Sequence, residues 1–151
     1  MFFLKELPTR QMLETYHKRF PKMNVESVET ALNLLRKAGL LMRELDTYFS
    51  SQKLSQLRFL VLIVLDREPS NDGLLASEVA ARLDVSRPLT TRTLQTLKDG
   101  GLLEFTDHGE DGRAKLVTLT AKGRRTLHKV LPGYYRVIEE FITTDQEERL
   151  P

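Results

Sequence analysis

The chain has 151 residues, of which 40% are hydrophobic and 29% charged, with a formal net charge of +2; this is an ordinary globular composition, and a chain of this length can bury roughly 68–70% of its unfolded surface. It contains no cysteine, which excludes disulfides, thiolate metal ligands and thiol redox sensing. No apolar run approaches the roughly 20 residues that cross a bilayer, and the apolar patch before Lys5 is too short for a secretory signal, so we expect a cytoplasmic protein without a membrane partner.

Two helices are predicted before residue 50. The first spans about Thr9 to Arg19. Asn24 is a suitable N-cap for the second, which runs to about Phe49. Its apolar residues recur every seven positions on two adjacent stripes: Val28, Leu35, Met42 and Phe49 on one, Leu34, Leu41 and Tyr48 on the other. A helix with two apolar stripes is covered on more than one side, and a second subunit could supply that cover.

Three further helices are predicted between residues 54 and 101. The segment 54–69 predicts a buried helix that ends at a proline and the turn Ser-Asn-Asp-Gly. The short extended piece Leu74-Leu75 precedes a short helix over 76–84. A third helix occupies 86–101, with Ser86 as its N-cap, Pro88 in its first turn and Gly100-Gly101 at its end.

Two short strands and a long helix complete the chain. The strands, 102–106 and 114–119, flank a charged tip that contains two glycines. Thr120 is the predicted N-cap of the last helix, which has apolar residues at 4-3-4-3 spacing: Leu127, Leu131, Tyr134, Ile138 and Phe141. Pro132 lies inside this helix and is predicted to bend it.

The order of these elements predicts a winged helix-turn-helix. Asp84-Val85 is a turn of the length that joins two such helices. On the second helix we expect the leucines to face the core: Leu89, Leu94 and Leu97. We expect the polar residues to face outward: Arg87, Thr90, Thr91, Gln95 and Lys98. Hydroxyl groups and arginine on an exposed helix face suit a DNA major groove, because they can bond phosphates and base edges.

The charged tip fits the same interpretation. Arg113 lies at its edge, where an arginine could reach an adjacent minor groove of A·T-rich DNA. Asp111, two residues earlier, would lie on the same side of a strand and could hold Arg113 in position. Residues 82–125 carry 9 Lys+Arg and 6 Asp+Glu. This local excess favours an anionic partner, although an ordinary solvated surface would show it too.

This ordered set resembles the MarR family of bacterial transcriptional regulators, by motif over about residues 54 to 131 and by layout in the flanking helices. LSQLRFLVL resembles the core helix of that family. LLASEVAARLDVSRPLTTRTLQTLKDGGLLEF is similar to its helix-turn-helix, and DGRAKLVTLTAKG to its wing signature of Asp-x-Arg followed by Leu-Thr-x-x-Gly. The sequence departs from the family pattern at Leu89-Thr90, where Thr-Val is more usual.

The resemblance implies a mostly α-helical fold with a small β-hairpin wing. Its three parts would be N-terminal dimerisation helices (1–53), a winged helix-turn-helix (54–119) and C-terminal dimerisation helices (120–151). It implies a homodimer that binds a palindromic operator in double-stranded DNA, and a repressor that a small aromatic or phenolic ligand releases. The implied DNA-binding residues are Ser86, Arg87, Pro88, Thr90, Thr91 and Arg92, with Gln95 from the exposed face, Arg113 in the minor groove and Asp111 as its support.

Some residues allow two interpretations. Tyr48, Arg58 and Phe59 could line a ligand pocket, or they could pack in the core or the dimer interface. Arg124-Arg125 could touch the phosphate backbone or lie on a solvated face.

Other classes of protein are less well supported. The three histidines lack paired ligand spacing, so we expect neither a metal nor a cofactor. The chain has no P-loop and no Gly-x-Gly-x-x-Gly. An enzyme would need polar side chains that come together at one active site, and the sequence shows no such set. A winged-helix protein-interaction module without DNA binding remains the alternative.

Overall fold

The computed structural model describes residues 4–68, 73–108 and 114–147. The elements in these ranges are α1 (Arg10–Arg19), α2 (Val25–Ser51), α3 (Gln56–Asp66), β1 (Leu74–Leu75), α4 (Ala76–Ala81), α5 (Arg87–Asp99), β2 (Leu103–His108), β3 (Ala114–Leu119) and α6 (Ala121–Glu147). The chain divides into two compact units, residues 1–45 and 46–151. The predicted mostly helical fold with a small sheet is confirmed. None of the described helices is both long and apolar enough to cross a bilayer.

Three helices begin at residues whose side chains cap them, and two of these caps, Asn24 and Thr120, are those predicted from the sequence. Thr9 Oγ1 accepts a hydrogen bond of 3.3 Å from the backbone N–H three residues later, and Asn24 Oδ1 accepts the equivalent bond at 2.8 Å. Thr120 does the same for α6 at 2.9 Å. The first N–H groups of a helix have no partner within the helix, so these side chains fix where each helix starts.

The first unit contains α1 and the part of α2 that ends at Leu45. Arg10 joins the two helices, with a guanidinium nitrogen 3.0 Å from the Glu29 carboxylate. Leu13 is the buried residue of α1. Several large apolar side chains of this unit remain exposed: Leu4, Met12, Tyr16, Phe20, Leu34, Leu35 and Met42. The unit therefore has an apolar surface that the single chain leaves open to solvent.

Helix α3 lies at the centre of the second unit. It contacts α4, α5, α6 and β3, and five of its side chains are buried: Phe59, Val61, Leu62, Ile63 and Leu65. The surrounding elements contribute further buried residues: Val79, Leu94, Leu97, Val117 and Leu127. The predicted buried helix over 54–69 is confirmed, although its helical part is shorter, because the Ser55 side chain caps it at Gln56.

The sheet has three antiparallel strands in the order β1-β3-β2. Strand β3 pairs with β2 from Leu119 to Ala114, and with β1 through Leu74↔Val117 and Leu75↔Leu116. The sequence predicted the β2–β3 hairpin but placed Leu74-Leu75 only as an extended piece. Its pairing with β3 connects the start of α4 to the wing.

Helix α5 ends in a glycine turn, as predicted. Gly101 has φ +71°, in the left-handed region where a residue with a Cβ atom is strained. Its N–H donates to the Lys98 carbonyl at 2.8 Å, and the Leu102 N–H donates to the Leu97 carbonyl at 2.9 Å. This bond pair is a Schellman motif, which closes the helix and directs the chain into β2.

Tyr48, near the end of α2, packs against α6 where that helix contains Pro132. The helix continues through the proline, but a proline has no N–H, so the carbonyl four residues earlier loses its usual helical partner. The Tyr48 hydroxyl donates a hydrogen bond of 2.7 Å to the Val130 carbonyl in the same stretch.

The contact depends on a glycine. A Cβ atom on Gly133 would lie 2.3 Å from the Tyr48 hydroxyl oxygen and 2.6 Å from Cζ. Burial raises the pKa of the Tyr48 hydroxyl above its ordinary 10.0, and the charge of Arg136 opposes this in part. The hydroxyl therefore keeps its proton at neutral pH and can donate to the α6 backbone.

We expect Gly133→Ala to destabilise the protein. Alanine is favoured over glycine in a helix by about 1 kcal/mol, but the added methyl group would overlap the Tyr48 ring, and overpacking of this kind costs about 1–3 kcal/mol or more. In a Tyr48→Ala background the overlap disappears, so the same change should be neutral or stabilising. Urea unfolding followed by circular dichroism measures both effects.

Gly100→Ala is the matched control, because a Cβ atom there would lie 3.4 Å from the Thr96 carbonyl oxygen and 3.5 Å from that of Leu97, which are ordinary contact distances. We expect it to leave the unfolding midpoint unchanged or slightly raised. A Gly133→Ala protein as stable as the wild type would contradict the close Tyr48 contact.

Candidate nucleic-acid interface

The helices α4 and α5 and the turn between them position the candidate site. Helix α4 ends at Ala81, earlier than the predicted 84. The Arg82 N–H is shared between the Glu78 and Val79 carbonyls, both at 3.2 Å, and the Leu83 N–H reaches only the Ala80 carbonyl three residues back, at 3.4 Å. The Arg82 guanidinium lies 2.6 Å from the Glu68 carboxylate, just beyond α3. This contact fixes the end of α4 against the central helix.

Ser86 occupies the N-cap position of α5, as predicted, with an extended backbone of φ −65° and ψ 147°. Its side chain makes no capping hydrogen bond, whereas its carbonyl accepts the Thr90 N–H at 3.0 Å. Pro88 lies in the first turn. The exposed Ser86 hydroxyl therefore lies at the start of the helix and is not used in capping it.

The rotation of α5 differs from the sequence prediction. Thr90 is 1% exposed and its hydroxyl donates to the Ser86 carbonyl at 3.2 Å, whereas Leu89 is 42% exposed. The prediction that Thr90 faces outward and Leu89 inward is therefore wrong. The buried positions are Thr90, Thr93, Leu94 and Leu97. They form one stripe at helical spacing, and threonine fits in it because its hydroxyl bonds to its own helix backbone.

The opposite face of α5 is open to solvent. An open depression of about 670 Å³ is lined by Arg87, Pro88, Thr91, Arg92, Gln95 and Thr96. Neither arginine forms an ion pair with a residue in the described ranges. Within the described ranges these two positive charges therefore have no carboxylate partner, and they lie among polar side chains. Thr96, which also lines this face, was not among the residues predicted from the sequence.

Most polar groups on this face have intrahelical partners. The hydroxyl of Thr91 donates to the Arg87 carbonyl at 3.0 Å, and that of Thr96 to the Arg92 carbonyl at 2.9 Å. The Gln95 amide donates to the Asp99 carboxylate at 2.7 Å. These bonds hold the side chains in defined positions on the helix surface.

Arg113 and Asp111, the predicted minor-groove residue of the wing and its support, lie outside the described residues. Their roles remain predictions. Near the tip of the wing hairpin, Lys115 Nζ lies 3.7 Å from an Asp107 carboxylate oxygen, with both side chains more than half exposed. Lys98, at the end of α5, places its ammonium 4.9 Å from the centre of the Phe105 ring on β2. That contact attaches the end of α5 to the first wing strand.

Arg124 lies on a solvent-exposed face, one of the two alternatives left open for it, and it also forms an ion pair there. Its guanidinium lies 2.8 Å from Asp66 at the end of α3, and His128 Nε2 lies 3.6 Å from the same carboxylate. Arg125 is exposed. Arg124 therefore connects α6 to α3, and Arg125 is the free member of the pair within the described ranges.

The three candidate ligand residues lie near one aromatic cluster. Phe59 is 1% exposed, and its ring centre lies 4.7 Å from those of Phe49 and Tyr134. Tyr48 joins the cluster through Phe49 at 5.7 Å. Arg58 is half-buried on the helix that carries Phe59. A ligand could touch the Phe59 ring only if a neighbouring ring moved, so a ligand site here remains a prediction.

Within the described residues, no group of three or more His, Asp or Glu side chains could hold a metal ion. The helix-turn-helix, its arginine-bearing exposed face and the small antiparallel sheet define a winged helix-turn-helix protein. Residues 53–114 match the family model described as MarR family.

Individual relatives agree with this match. The chain is 26% identical to the HTH-type transcriptional repressor YetL of Bacillus subtilis, over 96% of this chain and 86% of that protein. It is 31% identical to the M. tuberculosis transcriptional regulator MOSR, solved with DNA, with a TM-score of 0.59 over 76% of this chain and 80% of that one. The MarR regulator Sco3205 of Streptomyces coelicolor, solved with DNA, gives a TM-score of 0.74 at 20% identity, over 85% and 78%.

The chain belongs to the MarR family. It is a transcriptional regulator and not an enzyme.

The rotation of α5 can be tested with a pair of neighbouring substitutions. Leu89→Gln changes an exposed side chain and should alter the free energy of unfolding by no more than about 0.5 kcal/mol. Thr90→Gln would place an amide without partners in the buried stripe and should cost about 1–3 kcal/mol. Urea unfolding of the two variants and the wild type measures the difference. If Leu89→Gln proved the more damaging, the inward orientation of Leu89 predicted from the sequence would be correct.

Proposed function

We propose that the protein is a cytoplasmic, homodimeric repressor that binds a palindromic operator in double-stranded DNA. The observation that carries this proposal is the exposed face of α5, where Arg87 and Arg92 have no anionic partner in the described ranges. In a helix-turn-helix protein the second helix lies in the major groove with its N-terminal residues at the base edges. The two arginines lie in the first half of α5.

The residues of this face have distinct roles in the proposal. Arg87 and Arg92 neutralise phosphates or donate two hydrogen bonds to a guanine. Ser86 and Thr91 supply hydroxyl groups close to the backbone. Gln95 can contact a base only when its amide leaves Asp99. Thr90 has no direct contact, since it is buried, and Pro88 contributes shape to the start of the helix.

The exposed apolar residues of the first unit support the homodimer. Met12, Tyr16 and Phe20 leave large side chains in solvent, as do Tyr135 and Ile142 on α6. A second subunit that covered these side chains would remove their apolar surface from water, which favours association. We propose that the helices within 1–53 and 120–151 form the dimer interface, which would place two recognition helices on half-sites about 10 bp apart.

The wing and the effector extend the proposal. Arg113 would enter the minor groove that flanks each half-site, with Asp111 as its support. A small aromatic or phenolic ligand near Tyr48 and Arg58 would release DNA by binding better to a dimer whose recognition helices no longer match the half-site spacing.

The DNA-binding proposal predicts that the affinity for DNA falls steeply as the salt concentration rises. Fluorescence anisotropy with a selected operator duplex should show log K falling linearly with log salt, at a slope of roughly −0.9 per phosphate contact. Arg92→Ala should weaken binding by about tenfold or more. If Arg92 binds a phosphate, the slope should also fall by about one. If it binds a guanine, specificity at one position should relax instead.

Arg67→Ala is the charge-matched control, because it removes one exposed positive charge at the end of α3, outside α5 and outside the proposed dimerisation segments. It should leave the affinity and the salt slope within about twofold of the wild type. A folded dimer that binds no duplex at low salt would support the protein-interaction alternative.

A further inference from the structure

We propose that Leu89 is a specificity-determining residue that contacts the C5 methyl group of a thymine in the operator. The inference rests on the proposed DNA-binding function. Leu89 lies where this sequence departs from the MarR family pattern. The sequence predicted that Leu89 faces the core, whereas the structure leaves it exposed.

The place of Leu89 on α5 is suitable for base contact. It is the third residue of the helix, which starts at Arg87 after the N-cap Ser86. The N-terminal residues of a recognition helix are those that reach base edges. Arg92 follows three residues later, a spacing that makes the two side chains neighbours on the helix surface.

The Leu89 side chain is held at this position but not covered. Its backbone carbonyl accepts the hydroxyl of the buried Thr93 at 2.8 Å, and its side chain is 42% exposed. Leu89 lies at the edge of the exposed face, where its neighbours one and two turns further along α5, Arg92 and Thr96, are charged and polar. An exposed leucine among such residues gains free energy when an apolar group of a partner removes it from water.

The major groove offers few groups of that kind. Guanine, adenine and unmodified cytosine present hydrogen-bond donors and acceptors along their edges, whereas thymine adds a C5 methyl group. A leucine can neither donate nor accept a hydrogen bond. The chemistry of the side chain therefore selects thymine over the other three bases at the position it faces.

The test removes a single methyl group from the DNA. An operator is first selected from random duplexes, and each thymine of a half-site is then replaced in turn by deoxyuridine, which lacks the methyl. With the wild-type protein we expect one position per half-site at which affinity falls about threefold to fivefold, the effect of one buried methyl group. With Leu89→Ala the same replacement should have no effect beyond about 1.5-fold.

Leu89→Ser provides a second variant, with a polar side chain that has no methyl group. It should also lose the deoxyuridine effect, and selection with it should show a relaxed base preference at that one position. Both variants should unfold at the same urea concentration as the wild type, since the side chain is exposed.

Other outcomes overturn the inference in distinguishable ways. Equal sensitivity to deoxyuridine in wild type and Leu89→Ala would mean that Leu89 touches no thymine methyl. A weakened dimer of Leu89→Ala in sedimentation, with unchanged base preference, would assign Leu89 to a contact with a second copy. Failure of the wild type to bind any selected duplex would overturn the DNA-binding function itself.

Discussion

The burial of α3 is the interaction on which the rest of the second unit depends. Val61 and Leu62 have no exposed surface, and the helix contacts α4, α5, α6 and β3. A helix that is apolar on all sides has to be enclosed. Helix α5, which carries the proposed DNA-binding surface, is one of the elements that enclose α3. The burial of α3 therefore stabilises the core and also holds α5 in place.

The C-terminal end of α3 shows how polar contacts add precision to this packing. Asp66 is the last helical residue and Glu68 follows two residues later. Negative charges at a helix C-terminus are unfavourable, because the helix dipole is negative there. Arg124 from α6 lies 2.8 Å from the first carboxylate, and Arg82, just after α4, lies 2.6 Å from the second. The arrangement offsets the unfavourable charge and attaches two flanking helices to the same end of α3.

The features that were predictable from the sequence are mainly local. The caps at Asn24 and Thr120 followed from residue type, because an N-cap bond spans only three positions. The pairing of β1 with β3 could not be predicted, since two residues carry too little pattern and their partners lie more than 40 positions away. The rotation of α5 was missed because a leucine was assumed to be buried and a threonine exposed. The stripe through positions 90, 94 and 97 was nevertheless visible in the sequence. The wing arginine and the ligand residues remain predictions.

The threonine hydroxyls of α5 have a further consequence for the chemistry of this surface. Thr91 and Thr96 each donate their only hydroxyl proton to a carbonyl one turn earlier. While those bonds persist, each oxygen can only accept a hydrogen bond from outside. The complementary groups on a duplex are the amino groups of adenine and cytosine, which donate in the major groove. The arginines on the same face can only donate. The surface therefore presents hydrogen-bond donors on its arginines and acceptors on its threonines. The threonines are acceptors because the carbonyls of α5 already take their hydroxyl protons.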